Sequence, residues 1–510
     1  MIKLYSAEAA RACDEQAASR LGFSGAVMME NAGRNATDVL LDKFPGIDEA
    51  CILAGPGNNG GDGFVIARHL LIRGTHPTVI LAFPEERCKG DAALNLTMAR
   101  RCGIPILSSR EMSDEEIGEI VSKSDLVVDA LLGTGSSGPP RGEVGRLIRL
   151  SSKARRVAAV DIPSGIDAST GAVMTEAVRA DLTVTMLIPK VGLFVMPGAD
   201  YAGEVAVVDI GVPLESLSLP AAEVNAIERF DVARMLPPRP MGMHKGDRGC
   251  VAIVGGSSVY KGAPLLAALG ALRGGAGIVL LVLPEEISTP LAAALPEAII
   301  LPAPSREGGL VQEAWDSVIV PWSKRIDALV IGPGIGRGEG AMALVRRIWD
   351  EWRGPMVVDA DALYCLSQAE ELCRRDDVIL TPHEGEAARL LDSDASSVGN
   401  ARLAAVRALA ERYGPALLKG PRTLICDGRQ TAVILEGHQA LSVPGSGDVL
   451  SGLVGAFMAM RLSAYEAGVV GAHIHGRVGS ILYEEGGFDG HLAREIAGHI
   501  PQAIEELRCV

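Results

Sequence analysis

The amino-acid sequence predicts an α/β protein of two domains, each built on a mainly parallel sheet with helices on both faces. Three observations lead there. At 510 residues the chain exceeds one ordinary domain, and roughly 150 residues per domain sets an expectation of two to four. Short aliphatic runs recur without in–out alternation and are separated by helix-like segments, the pattern of parallel strands buried on both sides. Finally, the 60 glycines cluster where such strands would turn into helices, corners at which backbone bends tightly or approaches a ligand. They show no Gly-x-y period, which excludes collagen.

In order, strands are expected at Cys51–Ala54, Thr78–Ala82, Leu126–Ala130, Val157–Val160, Leu182–Met186 and Val205–Val208. Helices are expected at Ser6–Leu21, with Ser6 as cap, and at Asp62–Ile72 and Asp91–Arg101. Clustered prolines and polar residues then mark a connector. A second series places strands at Cys250–Val254, Ile278–Leu283, Ala328–Ile331, Met356–Val358, Val378–Leu380, Ala416–Leu418, Thr423–Cys426 and Ala432–Leu435. Its helices are Ala263–Arg273, Glu384–Leu391, Ala401–Arg412, Asp448–Met460 and Ala464–Tyr483. The expected division is residues 1–215, a connector at 216–234, and residues 235–510.

Hydrophobic residues at 48% and charged residues at 22% describe a globular chain. The net charge of −15 argues against a nucleic-acid groove, while leaving room for a phosphate held by backbone N–H groups. Nine scattered cysteines without a Cys-x-x-Cys pair read as reduced thiols. The opening MIKLYSAEAARACDE lacks an apolar export core, and the most apolar run, Gly277 to Leu283, is only strand length. A cytoplasmic protein with no membrane or nucleic-acid partner is expected, with homo-oligomerisation drawn only from its frequency among α/β enzymes.

In the first half, Gly55-Pro-Gly-Asn-Asn-Gly-Gly-Asp-Gly63 forms a strand-to-helix corner whose N–H groups suit phosphate. It is not the dinucleotide fingerprint, because the spacing fails after Gly57. Asp129 closes one apolar run and Asp161 the next, opening Asp-Ile-Pro-Ser-Gly-Ile-Asp167. These aspartates either cap the loops that follow or converge on the crevice at the strand ends. Asn59, Asp129 and Ser164 offer oxygen ligands only, which suits a hard cation. Asp161 serves as a general acid or base if its pKa is raised.

GPGNNGGDG, DALLGTG and DIPSGIDAxTG together resemble the NAD(P)H-hydrate epimerase domain, a Rossmann-like family, over about residues 1–215. The resemblance implies that Asn58, Asn59, Gly60, Gly61 and Asp62, with Gly133, Thr134, Gly135, Ser136, Ser137, Gly138 and Pro139, contact the hydrated nucleotide. It implies that Asn59, Asp129 and Ser164 hold K+, and that Asp161 touches substrate. The R and S forms of the C6 hydroxyl interchange by loss and readdition of that group, with Asp161 expected to transfer the proton.

The second half repeats the device at Gly255-Gly-Ser-Ser258, Gly332-Pro-Gly-Ile-Gly336, Asp359-Ala-Asp361, Thr381-Pro-His-Glu-Gly-Glu386, Lys419-Gly-Pro-Arg-Thr423 and Gly445-Ser-Gly-Asp448. The last puts an aspartate on the first turn of a long helix. There the free N–H groups face developing charge and Asp448 accepts the proton of an attacking hydroxyl, unless it is simply an N-terminal cap. No Walker loop is present. His383 reads as a core or cleft residue, and Lys419 as a snorkelling or nucleotide-binding one.

From HKGDRGCVAIVGGS to GSGDVLSG, about residues 235–500, this half resembles the ADP/ATP-dependent NAD(P)H-hydrate dehydratase domain of the ribokinase-like superfamily. The resemblance implies hydrate contacts at Ala263, Gly334, His383 and Asp448. It implies nucleotide contacts at Lys419, Gly420, Pro421, Arg422, Thr423 and Gly447. The implied chemistry is phosphorylation of the C6 hydroxyl followed by phosphate elimination, with ADP or ATP as co-substrate and Mg2+ at the phosphates. Two departures stand out: Glu384 where the family has proline, and Ser442-Val-Pro-Gly445 where it has Ala-Thr-Gly-Gly. Pro444 removes a backbone donor. A small-molecule kinase fused to a nucleotide-binding domain leaves GPGNNGGDG and DIPSGID without purpose, and a decayed nucleotide sensor is at odds with the retention of Asp161 and Asp448.

Overall fold

A computed structural model describes residues 1–136 and 138–510; Ser137, expected among the substrate contacts, lies outside the described residues. The chain divides into two compact units, Lys3–Val224 and Asn225–Val510 with Met1–Ile2. Within the segment expected as a connector, Val224–Ile227 forms a strand and Arg229–Met235 a helix.

The N-terminal unit carries a seven-stranded sheet in the order Ile106–Ser108, His76–Leu81, Glu49–Ala54, Leu126–Ala130, Val157–Val160, Leu182–Met186 and Glu204–Val208. Every pairing is parallel. Parallel strands need helical crossovers, and these bury both sheet faces: Ile52, Ala54 and Val128 pack into one core, Cys51, Leu53 and Val127 into another. Chain order reverses between Glu49–Ala54 and Leu126–Ala130, so the loops after these two strands flank the crevice where open sheets bind ligands. The helix Ala7–Ser19 begins at the expected cap, with Ser6 Oγ accepting from Ala9 N–H at 3.3 Å.

The sheet of the C-terminal unit runs in the order Val224–Ile227, Thr431–Ile434, Leu424–Cys426, Ala416–Leu418, Val378–Leu380, Met356–Val358, Ala328–Ile331, Cys250–Val254, Ile278–Pro284 and Ile299–Ala303. It is parallel from Ala416–Leu418 to Ile299–Ala303, with antiparallel pairings on both sides of Leu424–Cys426. Its order reverses between Cys250–Val254 and Ala328–Ile331. There Gly256 N–H donates to the Pro333 carbonyl at 2.9 Å, joining the two glycine-rich turns. Helix Ser446–Ala459 lies backbone to backbone on helix Ala263–Gly274: a Cβ on Gly452 would strike the Ala267 carbonyl, and one on Gly270 the Val449 carbonyl.

Candidate active sites

At the N-terminal switch point, close backbone approach shapes the pocket. A Cβ on Gly55 would collide with the Leu131 carbonyl oxygen. The helix after this strand starts at Asn58 rather than Asp62, so the Asn-Asn-Gly-Gly run is its first turn. A Cβ on Gly133 would lie 3.2 Å from both Asn59 and the Asp161 carboxylate, so these three meet. Asp161 adopts φ 68°, a left-handed conformation that aspartate tolerates better than most residues. Thr134 donates to its Oδ2 through N–H (2.9 Å) and through its hydroxyl. Lys190 Nζ donates to Oδ1 at 2.7 Å.

Lys190 is 2% exposed, and its other N–H donors reach Thr185 Oγ1 at 2.9 Å and the Met186 carbonyl at 2.8 Å. All three ammonium protons are therefore committed. The condition set for Asp161 as an acid or base, a raised pKa, is not met. Burial favours the neutral carboxyl, but the Lys190 charge and the hydrogen bonds from Lys190 and Thr134 outweigh it and hold the carboxyl below its usual range. Lys190 was absent from the sequence-based site; its partnership follows from strand Leu182–Met186 lying beside Val157–Val160. The partly buried Asp62 is affected in the opposite sense. Burial, then the Asp161 and Asp14 charges, push it well above the ordinary carboxyl range.

Beneath these groups, buried Asp129 accepts from Ser164 N–H (2.8 Å), Ser164 Oγ (2.7 Å) and Leu131 N–H (3.2 Å), yet burial still pushes its carboxyl up to about 6. Asn59 donates its amide to the Leu132 carbonyl at 2.9 Å, leaving its buried Oδ1 without a hydrogen-bond partner. A buried carbonyl oxygen without a partner, together with the oxygen-only donors of Asp129 and Ser164, is compatible with a hard cation. Gly60 and Gly61 are buried, whereas Asn58, Gly135, Ser136, Gly138 and Pro139 are exposed; Ser136 Oγ bonds the Gly133 carbonyl at 2.8 Å.

In the C-terminal unit, Asp448 stands on the first turn of helix Ser446–Ala459, whose N-terminal residue Gly445 (φ 87°) offers no side-chain cap. Burial, reinforced by Asp359, pushes the Asp448 carboxyl up to about 7 despite the Lys419 charge. Lys419 Nζ donates to buried Asp359 at 2.9 Å and lies 3.7 Å from Glu386. Burial disfavours its charge, but Asp359 and Glu386 outweigh that and raise its pKa. A Cβ on Gly447 would sit 3.4 Å from Lys419 Nζ, so Lys419, Gly447 and Asp448 form one cluster. Gly334 (φ 65°) packs on Tyr260 and Ala263; a Cβ there would lie 2.6 Å from the Tyr260 carbonyl and 3.2 Å from the Ala263 Cβ.

His383 is 58% exposed and caps helix Glu384–Leu390, its Nδ1 accepting from Gly385 N–H at 3.0 Å. Its Nε2 lies 3.6 Å from the Glu386 carboxylate. The Lys419–Thr423 loop closes on itself through Thr423 Oγ1 to the Gly420 carbonyl (2.8 Å); Arg422 turns towards the Leu435 carbonyl (3.3 Å), and Pro421 is exposed. Glu384 pairs with Arg402, a buried guanidinium that also donates to the Leu418 (3.3 Å) and Lys419 (3.2 Å) carbonyls. Arg402 was likewise missed from sequence. No group of three or more His, Cys, Asp or Glu suited to a metal occurs among the described residues. Asp359 and Glu386 already face Lys419, so Mg2+ would come here only with the nucleotide phosphates.

Comparison with known proteins places both halves of the chain in known families. Residues 251–502 match the family model for NAD(P)H-hydrate dehydratase, and residues 25–192 that for the YjeF-related protein N-terminus. The chain is 43% identical over 503 residues to the bifunctional NAD(P)H-hydrate repair enzyme Nnr of Thermanaerovibrio acidaminovorans, covering 97% of each. It is 35% identical over 505 residues to the enzyme of that name from Moorella thermoacetica, covering 97% of this chain and 95% of the relative. A ribokinase-like superfamily protein from Enterococcus faecalis shares the fold at TM-score 0.50 and 21% identity, over 57% of this chain and 99% of that one. With two family models matched in succession and relatives aligned nearly end to end, the chain belongs to the bifunctional NAD(P)H-hydrate repair enzymes, with a Rossmann-like epimerase domain followed by a ribokinase-like dehydratase domain.

Proposed function

We propose that the N-terminal unit interconverts the R and S hydrates of NADH and NADPH, and that the C-terminal unit dehydrates the S form with ADP or ATP. The observation that carries the second activity is Asp448, a carboxyl pushed up to about 7 on an uncapped helix start beside Lys419. Asp448 accepts the proton of the C6 hydroxyl as its oxygen attacks the terminal phosphoryl group. Lys419 and the first-turn N–H groups meet the developing charge. Phosphate then leaves from C6 more readily than hydroxide, and loss of the C5 proton restores the dihydronicotinamide.

For the epimerase, Asp161 and Asp62 supply opposite halves of a proton transfer, since their surroundings push the two carboxyls apart. Neutral Asp62 gives a proton to the departing hydroxyl. Ionised Asp161 takes one from the water that adds to the other face of C6. Lys190, with every donor committed, keeps Asp161 ionised. Asn59, Asp129 and Ser164 would hold K+, which would supply positive charge to a buried carboxylate; Mg2+ would accompany the nucleotide. A cytoplasmic location accords with nine unpaired cysteines, and among the described residues no helix is long and apolar enough to cross a membrane. Homo-oligomerisation is open to light scattering.

The test is to mix the purified protein with chemically hydrated NADH, with and without ADP or ATP, and follow absorbance at 340 nm. Recovery is expected only with nucleotide. Its rate should rise with pH through about 7 as Asp448 loses its proton. Absence of recovery from either epimer contradicts the proposal.

A further inference from the structure

Helix Ser446–Ala459 begins on a glycine, with no side chain accepting from its first-turn N–H groups. The one hydroxyl in that turn is instead engaged from behind. Ser446 and His475 are each 8% exposed. His475 Nε2 lies 3.1 Å from Ser446 Oγ and 3.2 Å from the Ser446 carbonyl oxygen. A carbonyl oxygen only accepts, so Nε2 must carry the hydrogen that faces it. With that tautomer, Nε2 has no lone pair for the serine hydroxyl hydrogen, and Ser446 Oγ accepts from the same N–H that faces the carbonyl. The hydroxyl hydrogen is then unclaimed by the histidine, at the helix start that also carries Gly447 and Asp448. A second feature converges on the same place: Lys419 Nζ stands 3.4 Å from where a Cβ on Gly447 would be.

We infer that His475 is a positioning residue for phosphoryl transfer, holding the Ser446 hydroxyl so that its hydrogen is presented to the phosphoryl group at the start of this helix. Ser446 thereby adds a side-chain donor to the backbone donors of the first turn, with its orientation fixed from behind. Such preorganisation matters because a freely rotating hydroxyl would have to be ordered as the charge develops. Burial keeps His475 neutral by driving its pKa down to about 4, so the pair adds no charge of its own. Helix Ala464–Gly486 carries the histidine, 29 residues beyond the serine. The inference rests on the dehydratase reading above.

The experiment measures nucleotide-driven recovery of NADH absorbance for Ser446→Ala, Ser446→Thr, His475→Leu, His475→Gln and the Ser446→Ala/His475→Leu double variant, with a melting curve for each. Ser446→Ala should lower kcat roughly 10- to 100-fold with the KM for hydrate within about twofold, as expected for a donor used in the transition state. Ser446→Thr, which keeps the hydroxyl, should retain most activity. His475→Leu should lose no more than Ser446→Ala does, and the double variant should be no slower than Ser446→Ala alone, since the histidine acts only through that hydroxyl. His475→Gln, whose amide can donate to the same carbonyl, should recover part of the loss. If His475→Leu fails to melt cooperatively, His475→Gln and the serine variants carry the test. A fully active His475→Gln beside an impaired Ser446→Ala is compatible only with an amide donor replacing the imidazole, and an inactive one with wild-type melting overturns the rescue. Wild-type turnover with an undiminished Ser446→Ala overturns this inference alone, as do losses that multiply in the double variant. Lack of wild-type turnover overturns the dehydratase reading and the inference with it.

Discussion

Asp161 shows how much of a site one side chain's neighbours decide. Its place at the end of an apolar run was legible in the sequence, and so was its proximity to the Gly-Thr-Gly loop. The sign of its pKa shift was not, because that depends on Lys190, which reaches it at 2.7 Å from 29 residues away. Position after a strand can be read from a run of apolar residues; a partner across two strands cannot. The consequence is testable. Replacing Lys190 by Met removes the charge that outweighs burial, so the Asp161 carboxyl should rise above its ordinary value. Epimer exchange, followed by chromatographic separation of the two hydrates, should slow by about 10²-fold or more near neutral pH. It should regain rate as pH increases and Asp161 ionises. A variant with the wild-type rate and a flat profile would remove Lys190 from the mechanism.

At the scale of elements, strands and glycine-rich corners were the readable part, since each parallel strand is an uninterrupted apolar run ending in a turn. Helices fared less evenly. Gly25–Lys43, with three glycine or asparagine residues in its middle, and Asp114–Lys123, largely charged at its start, were not anticipated; tertiary packing holds them where local propensity is weak. The departure at Glu384 gains a meaning only in three dimensions. Here it pairs with buried Arg402, and Arg402 grips the carbonyls that lead into the Lys419–Thr423 loop. This ties the His383-capped helix to the proposed nucleotide loop. Glu384→Ala leaves a buried guanidinium with less compensation, including an Nε already without a partner. It should cost about 1–3 kcal/mol in urea unfolding and raise the KM for nucleotide more than that for hydrate. Unchanged stability and unchanged nucleotide KM would reduce the pair to a surface ornament.

Across the whole molecule, the same solution occurs twice. Each unit reverses strand order next to a pair of glycine-rich turns, and each places a carboxylate there whose environment displaces its pKa. The directions differ: Asp161 is held down by a lysine that touches it, and Asp448 is pushed up by burial and neighbouring acids. Asp161 is therefore ionised at any physiological pH but is the weaker base, whereas Asp448 titrates near neutrality, where a general base works best. Composition hinted at this only through its 60 glycines, which mark where backbones meet but not which chemistry follows. The unusual Pro444 sits before the helix start without intruding on it, since the proposed first-turn donors come from Gly447 and Asp448, after the proline.

The most direct measurement of this division of labour uses the Asp161→Asn variant of the full chain with separated R and S hydrates of NADH and saturating nucleotide. Restoration of absorbance from the S hydrate at close to the wild-type rate, with the R hydrate consumed no faster than it epimerises unaided, is the expected result. Equal consumption of both hydrates by this variant would contradict the assignment of epimerisation to Asp161 and the N-terminal unit.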